Sequence, residues 1–157
     1  MFCTYFKLDD VEVLTIKRYI YRLNVFIMTI PIYQADAFTS RLFGGNPAAI
    51  CPLNEWLSDE RMQKIAAENN LAETAFFVKN GDGYKLRWFT PAYEIDLCGH
   101  ATLASAHIIF TELEHKSDVI NFETVKAGTL TIKKDGDKYT MDFPSRPPIP
   151  IEMPNGL

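Results

Sequence analysis

The sequence has no excess of basic residues and no long apolar run. Its 16 Lys and Arg stand against 20 Asp and Glu, which gives a net charge of −4. A chain without a basic face is not expected to bind nucleic acid or an anionic membrane surface. The most apolar stretch, residues 19–33, is interrupted by Arg22 and Asn24 and so falls short of the roughly 20 apolar residues that span a bilayer.

Cysteine is scarce, and the sequence lacks the usual ligand and phosphate motifs. The three cysteines, Cys3, Cys51 and Cys98, cannot all pair within one chain, and none forms a C-x-x-C unit or stands at the usual metal-ligand spacing from a histidine. Free thiols in a reducing compartment are therefore expected, which predicts a cytoplasmic protein. No P-loop and no G-x-G-x-x-G after a strand is present, so we predict neither a metal nor a cofactor.

Apolar side chains are plentiful, and Met28 and the prolines near the C-terminus divide the chain into three predicted parts. A hydrophobic content of 47% supports a packed core in one domain or two small lobes. We predict residues 1–27 as an extension upstream of Met28, an extra strand or helix packed on the domain being the alternative. Residues 28–147 form the predicted lobe. Five prolines fall in the last fourteen residues, so 148–157 is predicted as a linker towards a second, absent lobe.

The pattern between these limits predicts an α+β lobe. Residues 101 to about 113 are apolar nearly all round, which is typical of a buried helix with a sheet wrapped around it. Ser58 is a predicted N-cap for a second, amphipathic helix over residues 59–70. Strands are predicted at 30–38, 48–52, 74–79, 84–90, 119–124, 128–133 and 138–143, with a short extended run at 93–97.

The start of the buried helix, Cys98-Gly99-His100, is the first candidate site. The first turn of a helix presents unpaired N–H groups and the positive end of the dipole, which can hold a carboxylate or phosphate. Gly99 leaves room for a ligand near the backbone, and His100 can hydrogen-bond it or relay a proton. The alternative from the residues alone is that Gly99 makes the turn and His100 completes it.

Two further side chains are candidates for proton transfer. Glu73 falls between a helix end and an apolar strand, where a partly desolvated carboxylate suits general acid–base chemistry; the alternative is a solvated loop residue. Cys98, at a helix N-terminus, is expected to have a lowered thiol pKa and to be an alternative base, or else to be a small buried side chain.

Three segments together resemble the PhzF (phenazine biosynthesis-like) family. They are DAFTSRLFGGNPAAI (36–50), KIAAENNLAETAFF (64–77) and RWFTPAYEIDLCGHATLASA (87–106), and they occur in the family's order. The resemblance covers residues 28 to 147 and implies a diaminopimelate epimerase-like fold of two related lobes. Each lobe is a curved, largely antiparallel sheet around a central hydrophobic helix, with the active site between the lobes. Only the N-terminal half of such a protein is present.

The resemblance also implies roles. Glu73 matches the family's general acid/base, and Gly99 and His100 match its substrate-binding Gly-His. Ala101, which follows them, and Asn46, in the segment 36–50, are expected to bind substrate as well. The best-known family activity moves a proton between carbons of a dihydro-hydroxyanthranilate, without a cofactor. We therefore expect an isomerase acting on a small carboxylate, weak or inactive as a half-length chain.

Two other functions remain open at this point. Epimerases and racemases of the same fold have a catalytic cysteine at the equivalent helix start, so a racemase based on Cys98 is the first alternative. The second alternative is a non-catalytic binding or assembly module whose apolar surface is covered by a homodimer or by a separately encoded C-terminal lobe.

Overall fold

The computed structural model describes residues 2–7, 11–23, 26–41, 43–145, 147–148 and 150–151, with side chains from residue 29 onward. Ten strands and two helices make up its regular structure. In chain order they are β1 (Phe2–Lys7), β2 (Val11–Leu23), β3 (Phe26–Ala37), β4 (Asn46–Leu53), α1 (Asp59–Asn69), β5 (Glu73–Asn80), β6 (Gly83–Phe89), β7 (Glu94–Ile95), α2 (Gly99–Glu112), β8 (Val119–Thr124), β9 (Thr129–Asp135) and β10 (Lys138–Phe143).

All ten strands belong to one mixed sheet. Nine of them follow the order β1-β10-β9-β8-β6-β5-β4-β3-β2, and β7 pairs with β6 off this path. The β4–β5 and β6–β8 pairs are parallel, and the others are antiparallel. Each parallel pair is bridged by a helix, α1 for the first and α2 for the second, as parallel strands require a long crossover.

The sheet curls because its two ends are neighbours in the chain. β1 and β2 lie at opposite ends of the strand order, yet only residues 8–10 separate them in sequence. In a flat sheet the end strands would stand about 38 Å apart, whereas a three-residue connection spans at most about 14 Å. The sheet therefore bends into an open barrel, which confirms the predicted α+β lobe with a sheet around a central helix.

Helix α2 fills the inside of the curl. Every residue from His100 to Ile109 is buried, so the helix has no polar face, as the sequence predicted. Alanines on both partners allow close approach: Ala35, Ala48 and Ala75 line the strands opposite the helix. The buried hydroxyls of Thr102 and Ser105 donate to the carbonyls of Cys98 and Ala101, four residues earlier, and so need no outside partner.

Helix α1 covers the outer face of the sheet. It buries Met62, Ile65 and Ala66 against the second apolar cluster, which includes Phe76 and Phe89 from β5 and β6. Ser58 caps the helix by accepting from the N–H of Arg61, as predicted, and Asn70 ends it with a left-handed φ of 50°.

Arg87 on β6 ties the outer helix to the sheet. Its guanidinium makes two parallel hydrogen bonds to Glu94, at 2.6 and 2.7 Å, and a third to Asp59 at the start of α1. The ring of Trp56 lies beneath the same charge. This clamp fixes the position of α1 and hence the chain that leaves it.

The N-terminal residues take part in the sheet. Residues 2–7 and 11–23 form strands at its two ends, and their status as an extension upstream of Met28 stays a prediction. The strand predicted from Ile30 begins at Phe26, so regular structure continues through Met28. Of the predicted linker, residues 148, 150 and 151 carry no helix or strand, and 149 and 152–157 lie outside the described residues.

A buried histidine sits towards the far end of α2. His107 Nδ1 lies 3.0 Å from the hydroxyl of Tyr139 on β10, and Tyr139 stacks on Phe110. Burial, together with the nearby charge of Lys134, lowers the pKa of His107 to about 4. In the unfolded chain the histidine has its ordinary pKa of about 6.5. Between pH 6.5 and about 4, His107 is therefore protonated in the unfolded chain and neutral in the folded chain.

His107→Gln is expected to reduce the fall in the free energy of unfolding as the pH drops from 6.5 towards 4. The His107 contribution is fully present above pH 6.5 and is lost as the pH falls towards 4, by up to about 3 kcal/mol. Urea unfolding at several pH values measures the free energy of unfolding of both chains. Parallel curves for wild type and His107→Gln would contradict the assignment.

Candidate active site at the start of the buried helix

Glu73 is the first residue of β5, and its position follows from the strand pattern. Side chains alternate along a strand, so Glu73 shares the inner face with Ala75 and Phe77, which pack around α2. The link from α1 is short and held by a hydrogen bond from the Asn69 side chain to Thr74, 3.2 Å long. The Glu73 side chain is 17% exposed, which makes it a half-buried acid rather than a solvated loop residue.

His100, the second residue of α2, faces Glu73. Its Nε2 lies 3.0 Å from Glu73 Oε2, close enough for an ion pair. The alignment does not make a hydrogen bond, however, and both atoms are buried without a hydrogen-bond partner among the described residues. Hydrogen-bond strength falls steeply with angle, so this contact does not satisfy either atom. Two buried polar atoms therefore stand ready for a third group.

Burial decides the protonation of the imidazole. It lowers the pKa of His100, while the charge of Glu73 and the nearby Pro47 backbone act in the opposite direction. Because burial is the largest of these effects, the ring is neutral at pH 7 and has a donor and an acceptor nitrogen. The sequence analysis did not anticipate Pro47, which reaches the site because β4 lies next to β5.

Cys98 lies on the other side of the same ring. Its Sγ is 3.3 Å from His100 Nδ1. The predicted lowering of its pKa is wrong: burial, together with the nearby Glu73 carboxylate, raises the thiol pKa to about 12. The N–H groups of Ala101 and His100 oppose the rise, but they do not form a side-chain cap. The predicted alternative of a small buried side chain describes this thiol better.

The N-terminus of α2 is left open, in contrast to that of α1. Helix α1 has the Ser58 cap and two acidic residues, Asp59 and Glu60, in its first turn. Helix α2 has no acidic residue in its first turn and no side-chain cap. Its first N–H groups and its positive dipole end are therefore available to an anion from outside the chain.

Gly99 and the two remaining predicted residues flank this opening. A Cβ on Gly99 would meet no atom within 4 Å, so packing does not require glycine there. Ala101 is fully buried and offers only its backbone. Asn46 begins β4 two residues before Ala48, which pairs with Glu73, and is partly buried. The structure thus brings Glu73, Cys98, Gly99 and His100 together, with Ala101 and Asn46 beside them.

A small pocket elsewhere on the surface does not compete with this site. It measures roughly 70 Å³ and lies among Arg87, Glu94, Asp96 and Lys126 on the β6–β7 side. Its charges already pair with one another, Arg87 with Glu94 and Lys126 with Asp96. It offers neither space for a substrate nor an unpaired charged group.

The fold and the site together define a class of protein. An open, curled sheet around a buried helix, with an acid facing the helix start, is the diaminopimelate epimerase-like lobe. A predicted epimerase of Pseudomonas aeruginosa shares this fold at a TM-score of 0.58 and 24% identity, over 71% of this chain and 42% of that one. Among the described residues, neither helix is long and apolar enough to cross a membrane.

The chain belongs to the phenazine biosynthesis-like (PhzC-PhzF) family, whose profile matches residues 35–152. It is 52% identical to an uncharacterized isomerase of Pseudomonas aeruginosa over 130 residues, which are 83% of this chain and 50% of the relative. A PhzF family crystal structure from Enterococcus faecalis superposes with a TM-score of 0.74 at 47% identity, over 82% of this chain and 49% of that one. The chain spans about half the length of the curated relatives it matches.

Alanine substitutions at Gly45 and Gly99 test whether folding requires the glycine at position 99. Gly45 has a φ of +71°, and a Cβ there would lie 2.3 Å from the Ala37 carbonyl oxygen. Gly45→Ala is therefore expected to lower the free energy of unfolding by about 1–3 kcal/mol. Gly99→Ala should change it by no more than about 1 kcal/mol, and in the stabilising direction, because alanine favours helix. Chemical denaturation measures both; an equal loss at Gly99 would assign that glycine to folding.

Proposed function

We propose that this chain supplies the acid-bearing lobe of an isomerase that moves a proton from one carbon to another on a small carboxylate. The observation that carries the proposal is the buried Glu73–His100 pair, whose facing atoms lie 3.0 Å apart without a hydrogen bond at the uncapped start of α2. Leaving two polar atoms buried without partners costs stability, so a ligand that satisfies them is the natural explanation. The family name and the isomerase relatives support the same reaction class.

The proposed mechanism divides the work between the two elements. The first N–H groups of α2 hold the substrate carboxylate, with Gly99 leaving room for its approach. Glu73 takes a proton from a carbon next to an activating group and returns it to another carbon. Neutral His100 hydrogen-bonds the substrate and holds it against Glu73. The substrate class, a carboxylate such as a dihydro-hydroxyanthranilate, is part of the proposal.

A thiol-based racemase is the competing enzyme. Cys98 is close to His100, but burial raises its pKa to about 12, so little thiolate exists at neutral pH. The two proposals make opposite predictions for two conservative variants.

Glu73→Gln is expected to slow proton transfer by roughly 100-fold or more, because the group that moves the proton is gone. Cys98→Ser should keep the rate within about threefold. Incorporation of solvent deuterium into a dihydro-hydroxyanthranilate, followed by mass spectrometry, measures both. Glu68→Gln, an exposed carboxylate on α1, is the matched control and should behave as wild type. The reverse pattern would identify the racemase, and an unchanged rate in Glu73→Gln would remove Glu73 from the mechanism.

The rate should also depend on a second lobe. A site on one lobe stays open to water, and proton transfer at carbon depends on excluding water and positioning groups on both sides of the substrate. We expect monomers of the chain to be weak or inactive, with turnover appearing in a homodimer or on adding the separately produced C-terminal half of a PhzF relative. Size-exclusion fractions assayed for deuterium incorporation test this; full turnover by the monomer peak would contradict it. A binding or assembly module predicts partner binding without turnover.

A further inference from the structure

Three metal-ligand side chains converge at the start of α2. One ligand atom from each of Glu73, Cys98 and His100 lies within 4.8 Å of the other two. The sequence prediction of no metal site considered spacing along the chain, and Glu73 stands far from the Cys98-x-His100 pair in sequence. Strand β5 brings the carboxylate to the helix start.

The ligand set is the one that zinc prefers. Zinc binds thiolate sulfur, imidazole nitrogen and carboxylate oxygen, and catalytic or inhibitory sites have three protein ligands with the fourth position open. Tetrahedral bonds of about 2.0–2.3 Å separate ligand atoms by roughly 3.5 Å, so atoms 4.8 Å apart must approach by about 1 Å. The His100 ring faces Glu73 with Nε2 and Cys98 with Nδ1, so it must also turn until one nitrogen faces both.

A second, independent observation points to a ligand here. His100 is only 7% exposed, and its buried Nε2 lies 3.0 Å from Glu73 Oε2 but has no hydrogen-bond partner among the described residues. The facing oxygen, Glu73 Oε2, is also buried and unpartnered. One cation between the three side chains would supply a partner for both the carboxylate and the imidazole.

We propose that Glu73, Cys98 and His100 form a reversible Zn²⁺ site, and that Zn²⁺ bound there inhibits the enzyme. On binding, the Cys98 S–H bond breaks, its proton passes to the solvent and the sulfur forms a bond to the metal, because a coordinating thiol is deprotonated outright. The metal occupies the carboxylate that moves the proton, so it competes with substrate. This inhibitory consequence rests on the proposed function, whereas the metal site itself does not.

Cobalt substitution tests the site without any substrate. Co²⁺ titrated into the metal-free chain is expected to saturate at one equivalent, with a thiolate-to-cobalt charge-transfer band that Zn²⁺ abolishes by displacement. Cys98→Ser should lose the band, and Glu73→Gln should weaken binding by about tenfold or more. The Cys3→Ser/Cys51→Ala double variant, which retains Cys98 alone, is the matched control and should keep the band. Circular dichroism shows that each variant is folded.

Each outcome decides the inference. A band that survives Cys98→Ser, or that disappears in the Cys3→Ser/Cys51→Ala variant while the fold is intact, overturns the site. Absence of stoichiometric binding does the same, even if Glu73 proves essential for deuterium incorporation. If Co²⁺ binds as expected but the closed assembly shows no proton transfer, the site stands and the isomerase proposal fails alone. Where both hold, micromolar Zn²⁺ should suppress deuterium incorporation and a chelator should restore it.

Discussion

Burial of a helix that has no polar face is the constraint on which the rest of this structure depends. Helix α2 must be surrounded on all sides, and the sheet curls around it to achieve this. The curl cannot cover the helix end, because the first N–H groups have no carbonyl partner within the helix and must meet something polar. The same burial that organises the core thus creates one polar opening, and the chain places Glu73 and His100 at it.

The two helices of the lobe show how differently one chain can treat its helix ends. Helix α1 is finished in the usual way, with a capping serine and acidic residues. The N-terminus of helix α2 has no side-chain cap, and two buried atoms beside it, Glu73 Oε2 and His100 Nε2, have no hydrogen-bond partner among the described residues. Each such atom costs roughly 1–3 kcal/mol in a folded protein. The chain caps α1 on the outer face of the sheet but leaves the start of α2 on the inner face uncapped. It thus loses the stability that a cap would give and keeps the start of α2 open.

Local sequence patterns predict much of the lobe. The rest depends on strand pairings between residues far apart in the sequence, which local patterns do not predict. The buried helix, the Ser58 cap and the strands predicted at 74–79 and 84–90 were predictable, because each depends on neighbouring residues. The parallel β4–β5 pair was not, and it alone carries the Pro47 backbone to His100. The closeness of Glu73 to His100 came from family resemblance, since the two positions share no motif. The thiol pKa was missed because a dipole argument ignores burial.

Desolvation also separates the chemistry of the three side chains that meet here. Burial raises the pKa of the Cys98 thiol and lowers that of the His100 imidazole, so both groups are uncharged at neutral pH. An uncharged imidazole can donate and accept hydrogen bonds, and an uncharged thiol is a poor base. The proposed division of labour follows: Glu73 moves the proton, His100 holds the substrate, and Cys98 lines the site. A metal ion reverses this order, because its charge stabilises the thiolate that burial disfavours. Zinc binding must therefore overcome the burial that keeps the thiol protonated.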